Sequence, residues 1–114
     1  MEKLIHAETR LTQPWDKRRV YVDRGIAPLI KALWKIGCPT IFSCEGGEGE
    51  KMSITFYTAA AVERFFWRVR SVTDKEKWTV GVPYPLVVEE GQAVMLWTVQ
   101  FPRDDYQRVL NRVL

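Results

Sequence analysis

Ser43-Cys44-Glu45-Gly46-Gly47 is where a hydroxyl, a thiol, a carboxylate and two glycines fall together in this chain. Glycines permit a backbone in which successive N–H groups converge, an arrangement that suits phosphate or carboxylate. The stretch closes the apolar run Thr40–Cys44 and opens a polar connection, Glu45–Lys51, that also carries Gly49. It is not a Walker phosphate loop, since no Lys-Ser/Thr follows, nor a G-x-G-x-x-G fingerprint. Glu45, Glu48 and Glu50 repel an anion unless they point outward. A plain polar hairpin loop is the competing reading of the same residues.

Nucleophilic chemistry at Cys44 needs a base and a lowered pKa. His6 is the lone histidine and cannot be placed beside it, so a buried, inert thiol is the expectation. Cys38 follows a helix C-terminus, which does not stabilise a thiolate. A disulfide between the two is not expected. Six residues of extended chain span roughly 20 Å, while a disulfide needs Cα atoms within about 7 Å. Two cysteines and one histidine also fall short of a four-ligand zinc site, and no metal or cofactor is expected. The acidic pairs Glu89-Glu90 and Asp104-Asp105 read as solvated surface, so the evidence for an enzyme is thin.

The elements around this stretch are legible. Ile26, Leu29, Ile30 and Leu33 recur at helical spacing behind Asp23, a candidate N-cap, with Gly37 as the stop and Pro39 beyond it. Pro28 places the start of that helix irregularly or nearer Gly25. Thr40–Cys44 reads as a buried strand. Met52–Tyr57 alternates with period two and reads as its partner. Thr58 caps a second helix to about Arg70, with Val62, Phe65, Phe66 and Val69 inward. Trp67, Arg64 and Arg68 fall on its outer side. Lys77–Val82 is a third strand, Leu86–Val88 a resumption, Glu89–Gln92 a turn and Val94–Phe101 a fourth strand. A last helix begins at Pro102, with Tyr106, Val109, Leu110 and Val113 as its stripe. Residues 1–19 read as an arm, with at most one short strand.

The order α-β-β-α-β-β-α implies an α+β domain, an antiparallel sheet of about four strands with helices on one face, a ferredoxin-like variant. At 114 residues one domain is expected. No apolar run reaches the ~20 residues of a membrane span, and Met1-Glu2-Lys3 lacks a signal-peptide core, so the cytoplasm is the expected compartment. Five tryptophans exceed what a small core needs. The net charge of +3 permits an anionic partner without demanding one.

Val22-Asp23, Ile26, Pro28-Leu29-Ile30, Leu33-Trp34, Gly37, Thr40 and Ser43-Cys44-Glu45-Gly46 resemble a pattern in small uncharacterised proteins of bacteria and their phages. The resemblance covers residues 22–66 and implies a helix, a glycine turn, a strand ending in Ser-Cys-Glu/Gln-Gly, then a strand and a helix. That family carries no assigned activity. Ser43–Gly46 is also similar to the Ser-Cys-Ser-Gly turn of the wybutosine-biosynthesis family, with Glu45 in place of serine and without the basic residue that follows there.

The leading expectation is a non-enzymatic domain that binds a small anionic ligand, a nucleotide. Arg24, Ser43, Cys44, Gly46 and Gly47 would line the site, and Tyr21 or Tyr57 would stack on the ligand. The phage resemblance implies sequestration of a host signalling nucleotide in the host cytoplasm. The alternative is a protein-interaction module, such as a phage inhibitor of a host defence complex, using Arg64, Trp67 and Arg68. A Cys44-dependent or transferase enzyme comes third. A homodimer would hide the surplus tryptophans in any of the three.

Overall fold

Two strands with alternating side chains form the centre of the sheet. Lys51–Phe56 (β4) and Trp97–Pro102 (β8) pair antiparallel, so that Ile54 lies opposite Val99 and Met52 opposite Phe101. Directly opposed residues share a face, and these four are all buried. The computed structural model, which describes residues 7–46, 50–81, 85–87 and 93–114, completes this sheet with Thr40–Cys44 (β3) beside β4 and Thr79–Gly81 (β5) beside β8. The order is β3-β4-β8-β5, antiparallel throughout. Helix α2 (Ala59–Val69) links β4 to β5 with β8 between them, a split β-α-β unit. The protein is α+β, with helices on the face that carries Ile54 and Val99.

Two further hairpins flank the sheet. Glu8–Thr12 (β1) pairs with Arg19–Asp23 (β2). Pro85–Val87 (β6) pairs with Ala93–Met95 (β7). The continuous strand expected over Val94–Phe101 is therefore two strands in different sheets, broken at buried Leu96. The expected arm over residues 1–19 holds a full strand, β1, and Arg19 already opens its partner. The turn expected at Glu89–Gln92 lies outside the described residues.

Helix α1 (Ala27–Lys35) buries Leu29, Ile30 and Leu33 completely. Asp23 is not its cap. It ends β2, and its carboxylate accepts the Glu45 N–H at 3.0 Å. The helix starts four residues later with Pro28 in its first turn, where a missing N–H leaves nothing unsatisfied. Its end is a Schellman motif: Gly37 at φ +79° donates to the Trp34 carbonyl, and Cys38 donates to that of Leu33.

Thr58 caps α2 by accepting the Ala61 N–H at 3.1 Å, as its sequence suggests. Phe65 on α2 packs on Phe56 of β4, and Trp78 stacks on Phe101 of β8 with ring centres 4.9 Å apart. A 3-10 turn, Arg103–Asp105, leads into α3 (Tyr106–Val113). Asp105 is buried, and its carboxylate accepts from the Trp78 indole and from Arg108. Among the described residues no helix is long and apolar enough to cross a membrane.

β3 corrects another expectation. It is an edge strand, with Phe42 56% exposed and Cys44 exposed. The register slips between Thr40 and Phe42, so that Phe42 opposes Thr55 and Cys44 opposes Ser53 on the face away from the helices. An apolar run suggests burial on both faces, but the bulge re-aims alternate side chains outward.

Candidate functional site

At the Ser43–Gly46 strand end, the chain satisfies its own donors. Glu45 reaches back to the entrance of α1, where its carboxylate accepts the Gly25 N–H at 3.3 Å and lies 3.9 Å from the Arg103 guanidinium. The anion expected near that helix start is thus a side chain of the protein. Gly46 is buried at φ +70°, and its N–H points to the Cys44 sulfur at 3.4 Å. Both thiols are free, but Cys44 is exposed rather than buried, and Cys38 is the buried one. Arg24 is exposed in the turn before α1, and Ser43 is half-buried on β3. Gly47 lies outside the described residues.

The two tyrosines separate. Tyr21 is 68% exposed on β2 and shares with Ser43 a cleft of about 130 Å³ between β2 and β3. A nucleotide needs more room than that, since ligand pockets run to about 300–1,000 Å³. Tyr57 follows Phe56, which pairs with Thr40 at the far end of β3. Four residues of strand, roughly 13 Å, divide it from Cys44.

At that far end Tyr57 belongs to a different constellation. A pocket of about 590 Å³ is lined by Pro14, Trp15, Trp34, Gly37, Pro39 and Tyr57. Trp15 stands edge-on to Trp34, with ring centres 5.4 Å apart, and edge-on to Tyr57 at 6.4 Å. The Trp34 ring is fixed from behind, its indole N–H donating to the Thr40 hydroxyl at 3.0 Å. Trp15 comes from the β1–β2 loop, which is itself ordered. Gln13 and Arg18 close it through a backbone bond of 2.8 Å, Lys17 takes φ +62°, and Asp16 accepts the Arg18 N–H. The walls of the pocket are therefore positioned before any ligand arrives.

Cations border this pocket on two sides. A groove of about 350 Å³ continues from it, sharing Pro14 and Trp34 and adding the exposed Lys31 and Lys35. On the other side Arg64 crosses from α2 to the end of α1, where one nitrogen, Nη1, donates to the Ile36 and Gly37 carbonyls at 3.0 and 3.2 Å. An aromatic enclosure beside fixed positive charge can stack a flat ring and attract an acidic group attached to it.

The expected outer-face group on α2 divides. Arg64 is committed to the end of α1, and Arg68 lies near Cys38. Arg70 rather than either of them stacks on Trp67, its guanidinium carbon 3.9 Å from the ring centre. Trp67 itself is 66% exposed.

Of the three aromatic residues that line the pocket, only Tyr57 is an expected site residue; Trp15 and Trp34 are not. The signal is the run of strand-favouring residues Val20-Tyr21-Val22, β-branched and aromatic, facing Thr9–Thr12 across the turn residues Pro14 and Asp16. Comparison of the chain with family models, curated proteins and solved structures yields no match in any of the three.

Proposed function

We propose that this chain is a non-enzymatic binding domain for a nucleotide, held in the Trp15–Trp34–Tyr57 pocket. The base stacks against the exposed indole of Trp15 and the phosphate lies toward Lys31 and Lys35. The observation that carries this reading is the three-ring pocket opening into a groove with two lysines. The pocket's volume falls in the range of small-molecule sites, and its apolar walls supply most of the contact while the cations orient the ligand.

Calorimetry with mono-, di- and cyclic nucleotides of the four bases tests the reading. Trp15→Ala should weaken binding by about 1–3 kcal/mol, the contribution of one stacked base. Lys31→Gln with Lys35→Gln should weaken it by about twofold to fivefold, since both amines are exposed. Arg24→Ala reports on the opposite strand end. A loss of affinity there with none in Trp15→Ala would move the ligand to Ser43–Gly46, and no binding to any nucleotide would remove the proposal.

A further inference from the structure

Positive charge is concentrated on the helices. Helices α1, α2 with its cap Arg70, and α3 hold seven Lys or Arg and one acid, Glu63, a net +6. The other described residues carry nine Lys or Arg and nine Asp or Glu, which cancel. The net positive charge of the described residues therefore lies on the helices, and such a field attracts anionic partners to them.

Two features on that face add chemistry to the charge. Trp67 stands exposed in the last turn of α2, with Arg70 stacked on its ring and donating to its carbonyl. Arg70 thus holds the indole while leaving most of it open. Directly beyond Arg70, Ser71, Val72, Arg108, Asn111 and Arg112 line a concavity of about 500 Å³. The Asn111 carbonyl oxygen accepts from the Gln107 amide, and the Asn111 NH₂ group is a donor on the concavity's lining. Arg108 is tied to Asp105 through Nη2 and keeps its other N–H groups. The concavity therefore presents a hydroxyl, an amide and two guanidinium groups, which suits phosphate oxygens.

We propose that the outer face of α2 and α3 binds single-stranded nucleic acid, with one base stacked on Trp67 and the neighbouring phosphates in the Ser71–Arg112 concavity. An exposed indole favours a single strand, because bases within a duplex are already stacked on one another. This surface is separate from the Trp15 pocket, and binding here does not depend on a nucleotide there.

Fluorescence anisotropy with labelled oligo(dT) and oligo(U) of about 12 nucleotides, at about 50 mM salt, is the test, with a duplex of equal length as control. Single strands should bind more tightly than the duplex. Trp67→Ala should weaken binding by about fivefold to a hundredfold, and the melting temperature should hold because this ring lies on the solvent side. Arg112→Gln should lower the slope of log K against log salt by about 0.7, the value for one phosphate on a single strand. Trp15→Ala should weaken oligonucleotide binding by less than Trp67→Ala does, which separates this surface from the nucleotide pocket. Absence of binding, preference for duplex, or indifference to both Trp67→Ala and Arg112→Gln would overturn the proposal and assign the face to an acidic protein partner. A loss in Trp15→Ala equal to that in Trp67→Ala would also overturn it, by showing that the pocket holds the strand through its terminal base.

Discussion

Single residues decide the turns at both ends of β3. Gly37 and Gly46 both have positive φ, where an L side chain is strained by about 1–2 kcal/mol. They differ in what a methyl group would meet. At Gly37 it would come within 2.6 Å of the Arg64 Nη1, the far end of a flexible side chain that can move aside. At Gly46 it would come within 2.5 Å of the Lys51 carbonyl oxygen, which is backbone. Gly46→Ala should therefore destabilise the protein by more than Gly37→Ala, about 2–4 kcal/mol against about 1–2. Urea unfolding of the two variants measures the difference, and equal losses would contradict the backbone clash. The thiols supply a second check at this scale. Native protein should react at one cysteine, exposed Cys44, and unreduced unfolded protein at two. A mass two hydrogens low with no reactive thiol would mean a disulfide.

Among the elements, the helices were the most legible part of the sequence. Thr58 caps α2 as read, and removing its hydroxyl should cost about 1 kcal/mol. Thr58→Ala followed by thermal melting tests that, and a loss below about 0.3 kcal/mol would show the cap to be dispensable. Gly37 stops α1 where the 3.6-residue pattern ends, because a Schellman motif needs a local sequence only. The strands were legible as periodicity but not as neighbours. Nothing in Thr40–Cys44 announces a bulge, since a bulge is a relation between two strands, and so the exposure of Phe42 and Cys44 was hidden. Val94–Phe101 has one unbroken alternation although Leu96 divides it between two sheets. The pocket was hidden for a similar reason. Trp15 lies in the β1–β2 loop, Trp34 in α1 and Tyr57 just after β4, and only Tyr57 is an expected ligand contact. In the Ser43–Gly46 stretch it is Glu45 that is engaged, its N–H donating to the Asp23 carboxylate and its own carboxylate accepting from Gly25 just before α1.

Over the whole molecule, buried ionisable groups tie the fold to pH on the alkaline side. The Cys38 thiol is packed beneath α2, with its sulfur 3.5 Å from the Ala61 carbonyl oxygen. Burial pushes its pKa above the ordinary 9.0, with Arg64 and Arg68 opposing the rise. Tyr106 at the start of α3 is also raised above its ordinary 10.0, by burial first, with the Leu29 backbone opposing and the Glu45 carboxylate adding to it. Both groups hold their protons in the folded state at pH values where the unfolded chain releases them. Their contribution to stability is complete below pH 9.0 for the thiol and 10.0 for the phenol, and it is lost as the pH rises toward their folded values. Each can steepen the decline by at most about 1.4 kcal/mol per pH unit. The melting temperature should therefore fall from pH 9 upward and fall faster beyond pH 10, in the order in which the two groups ionise when unfolded. Cys38→Ala leaves a small cavity and should lower stability at every pH. What identifies the thiol is the slope: between pH 9 and 10 the variant should lose less stability per unit than the parent protein. Parallel curves over that interval would mean that Cys38 ionises no differently in the folded and unfolded chains.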